Sequence, residues 1–309
     1  MIIEHLVGIG ENKLVLPHSQ NYWLYQTPNQ VQLFYVTRGT TPNPYQAEID
    51  LIKRHKQGLV AAMPDNINIV GLCAGTSSTE SLLLDEGVGQ GKTLHYYAIE
   101  KNLDVLVASQ ENLRQYHPTL INADMFDVPL PMLKQNPETQ NHVLFLGYTF
   151  GNFTLEEMSR YFDSNLEKGD KLYVSMQIAR SREEVQREIM PGYVTPEYEA
   201  WLKYGLLKDG FRDKDLEYFA RISEASGIPV IELGFELKEV PIDLVDFKPR
   251  DRIVLLHTTK PSLDALVQLF NDSYSIRPLL SGDERNVLLV CERKWTKNIK
   301  SIETYLNYS

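Results

Sequence analysis

Two stretches constrain the fold more than any other part of the chain: residues 68–85, NIVGLCAGTSSTESLLLD, and residues 96–106, YYAIEKNLDVL. An apolar run ends at Gly71, a short glycine-containing turn follows, and a helix is expected from about Ser77. A second apolar run then ends in the acidic Glu100. That order is the one in which a parallel α/β sheet receives a nucleoside. Glycine lets the first turn come close to a ligand. A carboxylate closing the second strand can accept hydrogen bonds from a ribose diol.

The alternation continues beyond Glu100. Apolar strand candidates are Ile67–Leu72, His95–Ile99, Thr119–Ile121, His142–Leu146 and Lys171–Met176, with helices expected between them, among them Leu103–Leu113 and Leu155–Leu166. Strands alternating with helices imply a parallel, doubly wound sheet. Residues 1–48 are rich in Tyr, Gln, Asn and Pro and run into TRGTTPNPYQ, a loop or linker pattern, after which Glu48–Leu59 reads as a helix. Residues 180–250 break the alternation with the charged SREEVQRE and an aromatic, helical PGYVTPEYEAWLKYGLLKDGF. Near the C-terminus, Pro261–Phe270 reads as a helix, and Ser275–Leu280 and Asn286–Arg293 flank a five-residue turn as a β-hairpin.

Composition narrows the function. With 309 residues, 43% of them hydrophobic, the chain can bury a large core, as one domain or two coupled ones. A net charge of −10 argues against nucleic acid as a partner. Two isolated cysteines, Cys73 and Cys291, make no disulfide framework and suit a reducing cytoplasm. The N-terminal MIIEHLVGIGENK has no signal-peptide pattern, and no apolar run of membrane-spanning length occurs. No metal-ligand spacing and no GxSxG element stands out. The expected partner is a small molecule, and the oligomeric state is left open.

Several residues are placed to carry chemistry. Gly75, Thr76 and Ser77 form the first-turn candidate, with Ser77 or Ser78 as a plain helix cap the alternative. Asp124 closes the third strand and can accept from an adenine amino group while Met125 or Phe126 packs on the ring; the alternative is a capping Asp with Phe126 in the core. The most distinctive motif is FLGYTFGNF, residues 145–153, where two glycines bracket a turn and Asn152 offers both a donor and an acceptor. Its alternative role is to cap the helix that begins near Thr154. Tyr22, Tyr25, Phe34, Tyr35, Tyr193, Tyr198 and Trp201 are candidates for an aromatic pocket wall, since aromatic faces stabilise cations, although core packing explains most such rings. His18 and His257 are potential bases but read more simply as structural.

A parallel sheet finished by an antiparallel hairpin resembles the class I S-adenosylmethionine-dependent methyltransferases. Within them, GTSSTESLLLD, YYAIEKN, NADMF and FLGYTFGNFTLEE resemble the histidine-specific methyltransferase family, which includes the Nα-trimethylating enzyme of ergothioneine biosynthesis. The resemblance covers about residues 15–295. It implies a methyltransferase domain over 49–178 and 261–309 and a smaller substrate-binding domain over 1–48 and 179–260. It also implies S-adenosyl-L-methionine as cofactor, held by Gly75, Glu100 and Asp124, with Gly71, Ala74, Thr76, Ser77, Met125, Gly147 and Tyr148 completing the candidate contacts. Asn152 and Tyr35 become the candidate catalytic residues, and Tyr25, Asn152, Tyr193, Leu256 and Thr258 the candidate substrate contacts.

The chain departs from the family pattern in two places. The family's first turn opens on an acid and is followed by a lysine; here those positions are Gly71 and Thr79. A late strand of the histidine enzymes carries a Glu and a Ser that hold the imidazole, and the corresponding residues in RIVLLHTTK are Leu256 and Thr258. Loss of that Glu disfavours histidine as substrate, and an apolar Leu256 better suits an aromatic or aliphatic side chain. The expected activity is N-methylation of an amino acid or small amine. O-methylation of a small natural product, and a non-catalytic cofactor-binding sensor or partner protein, are the alternatives.

Overall fold

The computed structural model describes the chain except residues 10–11, 40–43, 137, 241–246 and 295–309, and except the side chains of residues 18–20, 22 and 44. Parts of the expected loop over 37–46, and the candidate side chains of His18 and Tyr22, therefore lie outside the described residues.

The described strands are β1 (Val7–Gly8), β2 (Lys13–Val15), β3 (Asn66–Leu72), β4 (Thr93–Glu100), β5 (Thr119–Asn122), β6 (Asn141–Phe145), β7 (Lys171–Gln177), β8 (Leu216–Ala225), β9 (Ile228–Leu237), β10 (Arg252–Thr259), β11 (Tyr274–Leu280) and β12 (Asn286–Arg293). Seven of them form one sheet in the order β11-β12-β7-β6-β3-β4-β5. Five are parallel, β12 runs antiparallel to β7, and β11 runs antiparallel to β12. The terminal hairpin expected from sequence is thus present.

Period-2 alternation explains why this sheet is covered on both faces. Along β3, Ile67 and Ile69 enter one core while Val70 and Leu72 enter the other. The first core takes Leu51, Ile52, Leu59 and Val60 from α2 (Pro44–Ala61, with α1 at Pro28–Thr37 before it), Leu83 and Leu84 from α3 (Ser81–Gly89), and Leu106 and Leu113 from α4 (Leu103–Leu113). The second takes Met158, Tyr161 and Phe162 from α5 (Leu155–Asn165). After the single turn α6 (Arg182–Glu184) and α7 (Pro196–Lys208), α8 (Leu263–Asn271) adds Leu266 and Phe270 to that second core. Helices on both faces of a mostly parallel sheet make the doubly wound α/β class.

The remaining strands form a second sheet, β1-β2-β10-β9-β8, whose core gathers Leu16, Leu24, Tyr198, Trp201, Leu202 and Phe235. The helical reading of the segment after residue 192 holds for α7, but the ten-residue strands β8 and β9 were not anticipated. Their signal was present in the sequence. Ala225 pairs with Ile228 across the two-residue loop Ser226–Gly227, and both loop residues have positive φ, 52° and 76°. A Ser-Gly loop of that kind matches the right-handed twist of a hairpin.

One close approach holds the second sheet together. A Cβ on Gly234 would lie 1.8 Å from the Ile253 carbonyl oxygen, beside the register shift between Val254 and Leu256. Only a residue without a side chain lets β9 and β10 meet there. Gly234→Ala should therefore lower unfolding free energy by about 1–3 kcal/mol or more, read by urea denaturation. Unchanged stability would show that the strands can separate at little cost.

Candidate active site

β3 lies where the strand order reverses, with β4 on one side and β6 on the other. In an open α/β sheet the crevice beyond the carboxyl ends of the strands at that point receives ligands. A cleft opens there, floored by the ends of β3, β4 and β6 and the turn after β5, and walled by Tyr25, Phe34, Tyr35, Arg38 and Tyr45 of the N-terminal segment.

The first turn is built on alternating left-handed residues, Cys73 (φ 49°), Gly75 (φ 54°) and Ser77 (φ 54°). For Cys73 and Ser77 this conformation costs on the order of 1–3 kcal/mol each. Partners hold the turn in place: Ala74 N donates to Ile99 O at 3.1 Å, and Ser77 N donates to Ala74 O at 2.7 Å. The Glu100 carboxylate accepts from Gly75 N at 3.2 Å and from Asn102 N at 2.9 Å. Burial raises the Glu100 pKa, and those amide hydrogen bonds pull it back down. The helix after the turn starts at Ser81, without a side-chain cap, so neither Ser77 nor Ser78 caps it.

After β5, Asp124 caps the turn Met125–Asp127 through Phe126 N at 3.1 Å and pairs with Lys101 Nζ at 2.9 Å. Phe126 does not enter the core: it stays 41% exposed and lines the cleft. After β6, Gly147 (φ 74°) and Tyr148 (φ 59°) are both left-handed. The buried Glu48 secures this turn, accepting from Gly147 N at 2.6 Å and from the Ser175 hydroxyl. Gly151 is required by close packing, since a Cβ there would stand 2.8 Å from Thr258 Oγ1. Asn152 therefore projects from a turn fixed at both ends. It does not cap the next helix, because Thr154 does so in a capping box with Glu157.

The cleft brings together Ala74, Gly75, Thr76, Ser77, Glu100, Asp124, Met125, Gly147, Tyr25, Tyr35 and Asn152 of the expected residues. The Tyr35 hydroxyl would lie 4.0 Å from a Cβ on Gly75, which places it beside the first turn. Five expected residues stand elsewhere. Gly71 is enclosed within β3, where Tyr96 Oη would lie 2.5 Å from an added Cβ. Tyr148 is buried, with its hydroxyl donating to Asn286 Oδ1 at 2.8 Å. The Tyr193 hydroxyl is held between Gln177 Oε1 at 2.9 Å and Lys260 Nζ at 3.1 Å. Leu256 belongs to the core of the second sheet, and Thr258 Oγ1 accepts from Lys260 Nζ at 3.0 Å behind the Gly151 turn. His257 is also outside the cleft, and burial lowers its pKa to about 4.

Other cleft residues were missed. Arg38 and Tyr45 flank a segment that reads as linker, and the Arg38 guanidinium lies 4.1 Å above the Tyr45 ring. Glu48, buried and not part of the cleft lining, had a legible signal, as a lone carboxylate on the face of α2 that also carries Leu51, Ile52 and Leu59. Glu80 had none beyond preceding an apolar run, yet it is 4% exposed and lines the cleft.

The residues present fit S-adenosyl-L-methionine: a carboxylate at the second strand end for a ribose, an acid and an exposed Phe126 ring for a purine, and a tight turn that lets backbone approach the ligand. Comparison with solved structures agrees on the fold. The PH0226 protein from Pyrococcus horikoshii OT3 shares the fold at a TM-score of 0.51 and 13% identity, over 87% of this chain and all of that one. The CMeT domain of the citrinin polyketide synthase does so at 0.51 and 12%, over 88% and 59%. The fold is that of the class I S-adenosylmethionine-dependent methyltransferases.

Residues 23–188, a little over half of the chain, match the family described as histidine-specific, S-adenosylmethionine-dependent methyltransferases. The chain belongs to that family and is an S-adenosylmethionine-dependent methyltransferase. It is also 26% identical over 203 residues to ergothioneine biosynthesis protein 1 of Schizosaccharomyces pombe, covering 60% of this chain. The match spans about a quarter of that relative's length. No helix among the described residues is long and apolar enough to cross a membrane.

Glu80 carries a pH signature. Burial raises its pKa to about 8. The folded state thus holds a proton that the unfolded chain releases near the ordinary carboxyl value. Stability from this group is intact below about pH 4.5, falls as pH rises towards 8, and is flat above. Glu80→Gln should therefore become more stable than the native chain by a few kcal/mol at pH 8–9 and match it near pH 4.5. Thermal melts across that range check the sign; a constant gap would show that Glu80 is ionised without penalty.

Proposed function

We propose that this methyltransferase transfers a methyl group to the amino group of an amino acid or small amine other than histidine. The observation carrying this reading is Asn152. Its side chain lies in the same cleft as Tyr35, on a turn fixed by Glu48 and by Gly151 packing, and has no hydrogen-bond partner among the described residues. An amide with both a donor and an acceptor suits the amino and carboxylate groups of an amino acid. The aromatic rings of Tyr25, Phe34 and Tyr45 line the same cleft and suit a sulfonium or a methylated ammonium product.

Bound S-adenosyl-L-methionine supplies a methyl group on a sulfonium. The protein's part is alignment and exclusion of water. Glu100 holds the ribose, Asp124 and Phe126 hold the adenine, and the first turn positions the rest of the cofactor. Asn152 and the Tyr35 hydroxyl orient the acceptor nitrogen so that its lone pair faces the methyl carbon. The residues building the seven-stranded sheet form the cofactor domain, and those building the five-stranded sheet together with residues 18–45 form the substrate domain.

The reading against histidine draws on the face behind Asn152. Leu256 and Thr258 stand at the positions where the histidine enzymes carry a Glu and a Ser; Leu256 belongs to the core of the second sheet and Thr258 Oγ1 is already engaged by Lys260. An imidazole N–H that relied on the Glu position finds Leu256 there instead, and an unpaired buried donor costs about 1–3 kcal/mol.

Incubation with S-adenosyl-L-methionine and a panel of amino acids and amines, read by mass and by NMR of the product, tests this. Methyl on nitrogen of a non-histidine acceptor is the expected product; methyl on oxygen, or turnover of histidine alone, defeats the proposal. With the acceptor found, Asn152→Ala should lower kcat/KM roughly 100-fold while S-adenosylhomocysteine binding stays unchanged. Equal loss of both would assign Asn152 to the cofactor instead.

A further inference from the structure

Asn102 follows Glu100 by two residues and opens α4, and every polar group it carries is engaged. Its amide N donates to Glu100 Oε1 at 2.9 Å, and its carbonyl accepts from Leu106 N at 3.0 Å. Its side-chain oxygen caps α4 by accepting from Val105 N at 3.1 Å. The remaining group, Nδ2, leaves the seven-stranded sheet and donates to the carbonyl of Tyr25. Ser, Thr or Asp would serve the cap equally well. Of these four residue types, Asn alone carries an amide donor beside its acceptor.

Tyr25 stands where the two sheets' surroundings meet. It ends the 3₁₀ segment His18–Tyr25, and a helix end leaves its last carbonyls to outside donors. Here the donors come from opposite sides. Trp201 Nε1 on α7 reaches Leu24 O at 3.0 Å, and Asn102 Nδ2 reaches Tyr25 O. The Tyr25 ring meets Phe34 of α1 edge-on at 5.0 Å between centroids, and the two rings lie 5.4 and 5.0 Å from Trp201. Tyr25 and Phe34 line the cleft together with Glu100. Asn102, only 8% exposed, thus connects Glu100 to the aromatic wall through two hydrogen bonds. A buried carbonyl left unpaired is costly, so the wall and the strand end hold their positions together.

We propose that Asn102 is a positioning residue that joins the ribose site of the cofactor to the aromatic wall of the acceptor pocket. A ribose bound at Glu100 fixes the carboxylate, the carboxylate fixes the Asn102 amide, and the Nδ2 bond seats Tyr25 and α1 over the cleft. Cofactor binding thereby prepares the wall against which the acceptor packs. The effect is reciprocal: a seated wall strengthens cofactor binding by the same factor. The assignment rests on the reading of Glu100 as the ribose residue, and the test separates the two.

Hydrogen exchange read by mass spectrometry, with and without S-adenosylhomocysteine, provides it. In the native protein the ligand should slow exchange about 10-fold or more both at the first turn, residues 73–77, and at residues 24–38. Asn102→Ser and Asn102→Asp keep an acceptor for Val105 N and the amide to Glu100, but lose the donor to Tyr25. Both should bind S-adenosylhomocysteine by calorimetry with affinity lowered no more than about 10-fold. Both should keep the ligand-dependent slowing at 73–77, which also shows that they are folded, and lose it at 24–38. A native protein that binds the ligand without slowing at 24–38 overturns the proposal, as do variants that retain that slowing. Variants that lose the slowing in both regions overturn it as well, and assign Asn102 to the cofactor site itself. Glu100→Ala decides the ribose reading, and should weaken S-adenosylhomocysteine binding more than about 10-fold. If it does so while the Asn102 variants behave as the native protein, only the link through Asn102 fails. If it does not, or if the native protein binds no S-adenosylhomocysteine, the ribose reading fails and the link falls with it.

Discussion

Parallel strands end with backbone groups that no ladder partner can satisfy, and in this protein two carboxylates meet that need. Glu100 takes the amides of Gly75 and Asn102, and Glu48 takes the amide of Gly147. An unpaired buried amide costs about as much as a lost hydrogen bond, so these acceptors hold open a shape that would otherwise close or unravel. The left-handed residues at 73, 75, 77, 147 and 148 are strained except at glycine, and persist because these contacts over-determine them. The cleft between the two turns follows from that pairing.

Glu48 has a second consequence. It lies on α2, so the turn carrying Asn152 is tied to the N-terminal part of the chain through one buried side chain. The same region brings Arg38 and Tyr45 to the cleft wall. The turn that carries Asn152 and this wall of the cleft are therefore joined through the same part of the chain. The Tyr193, Lys260 and Thr258 network supports the Gly151 turn from the second sheet.

The seven-stranded sheet was largely legible. β3 to β7 and the final hairpin appear within about two residues of the apolar runs that announced them, because strand periodicity is a local property. The hairpin β8–β9 carried an equally local signal in Ser226–Gly227, which the dominant α/β pattern obscured. Leu256 and Thr258 show a different failure. Their place in a strand was readable, but the direction they face depends on packing between β10 and the 149–152 turn, more than a hundred residues earlier in the chain.

The sequence alone determined the doubly wound sheet, the acid at the end of its second strand, the glycine-bracketed turn that carries Asn152, and membership in a methyltransferase class. Each rests on short-range spacing of apolar, glycine and acidic residues. The tertiary structure decided what lines the cleft. It let Tyr96 occupy the room beside Gly71, set Glu80 and Arg38 in one cleft, and turned Tyr193 and Tyr148 inward. Those outcomes depend on side chains tens to hundreds of residues apart competing for the same space, and one-dimensional spacing does not encode that competition.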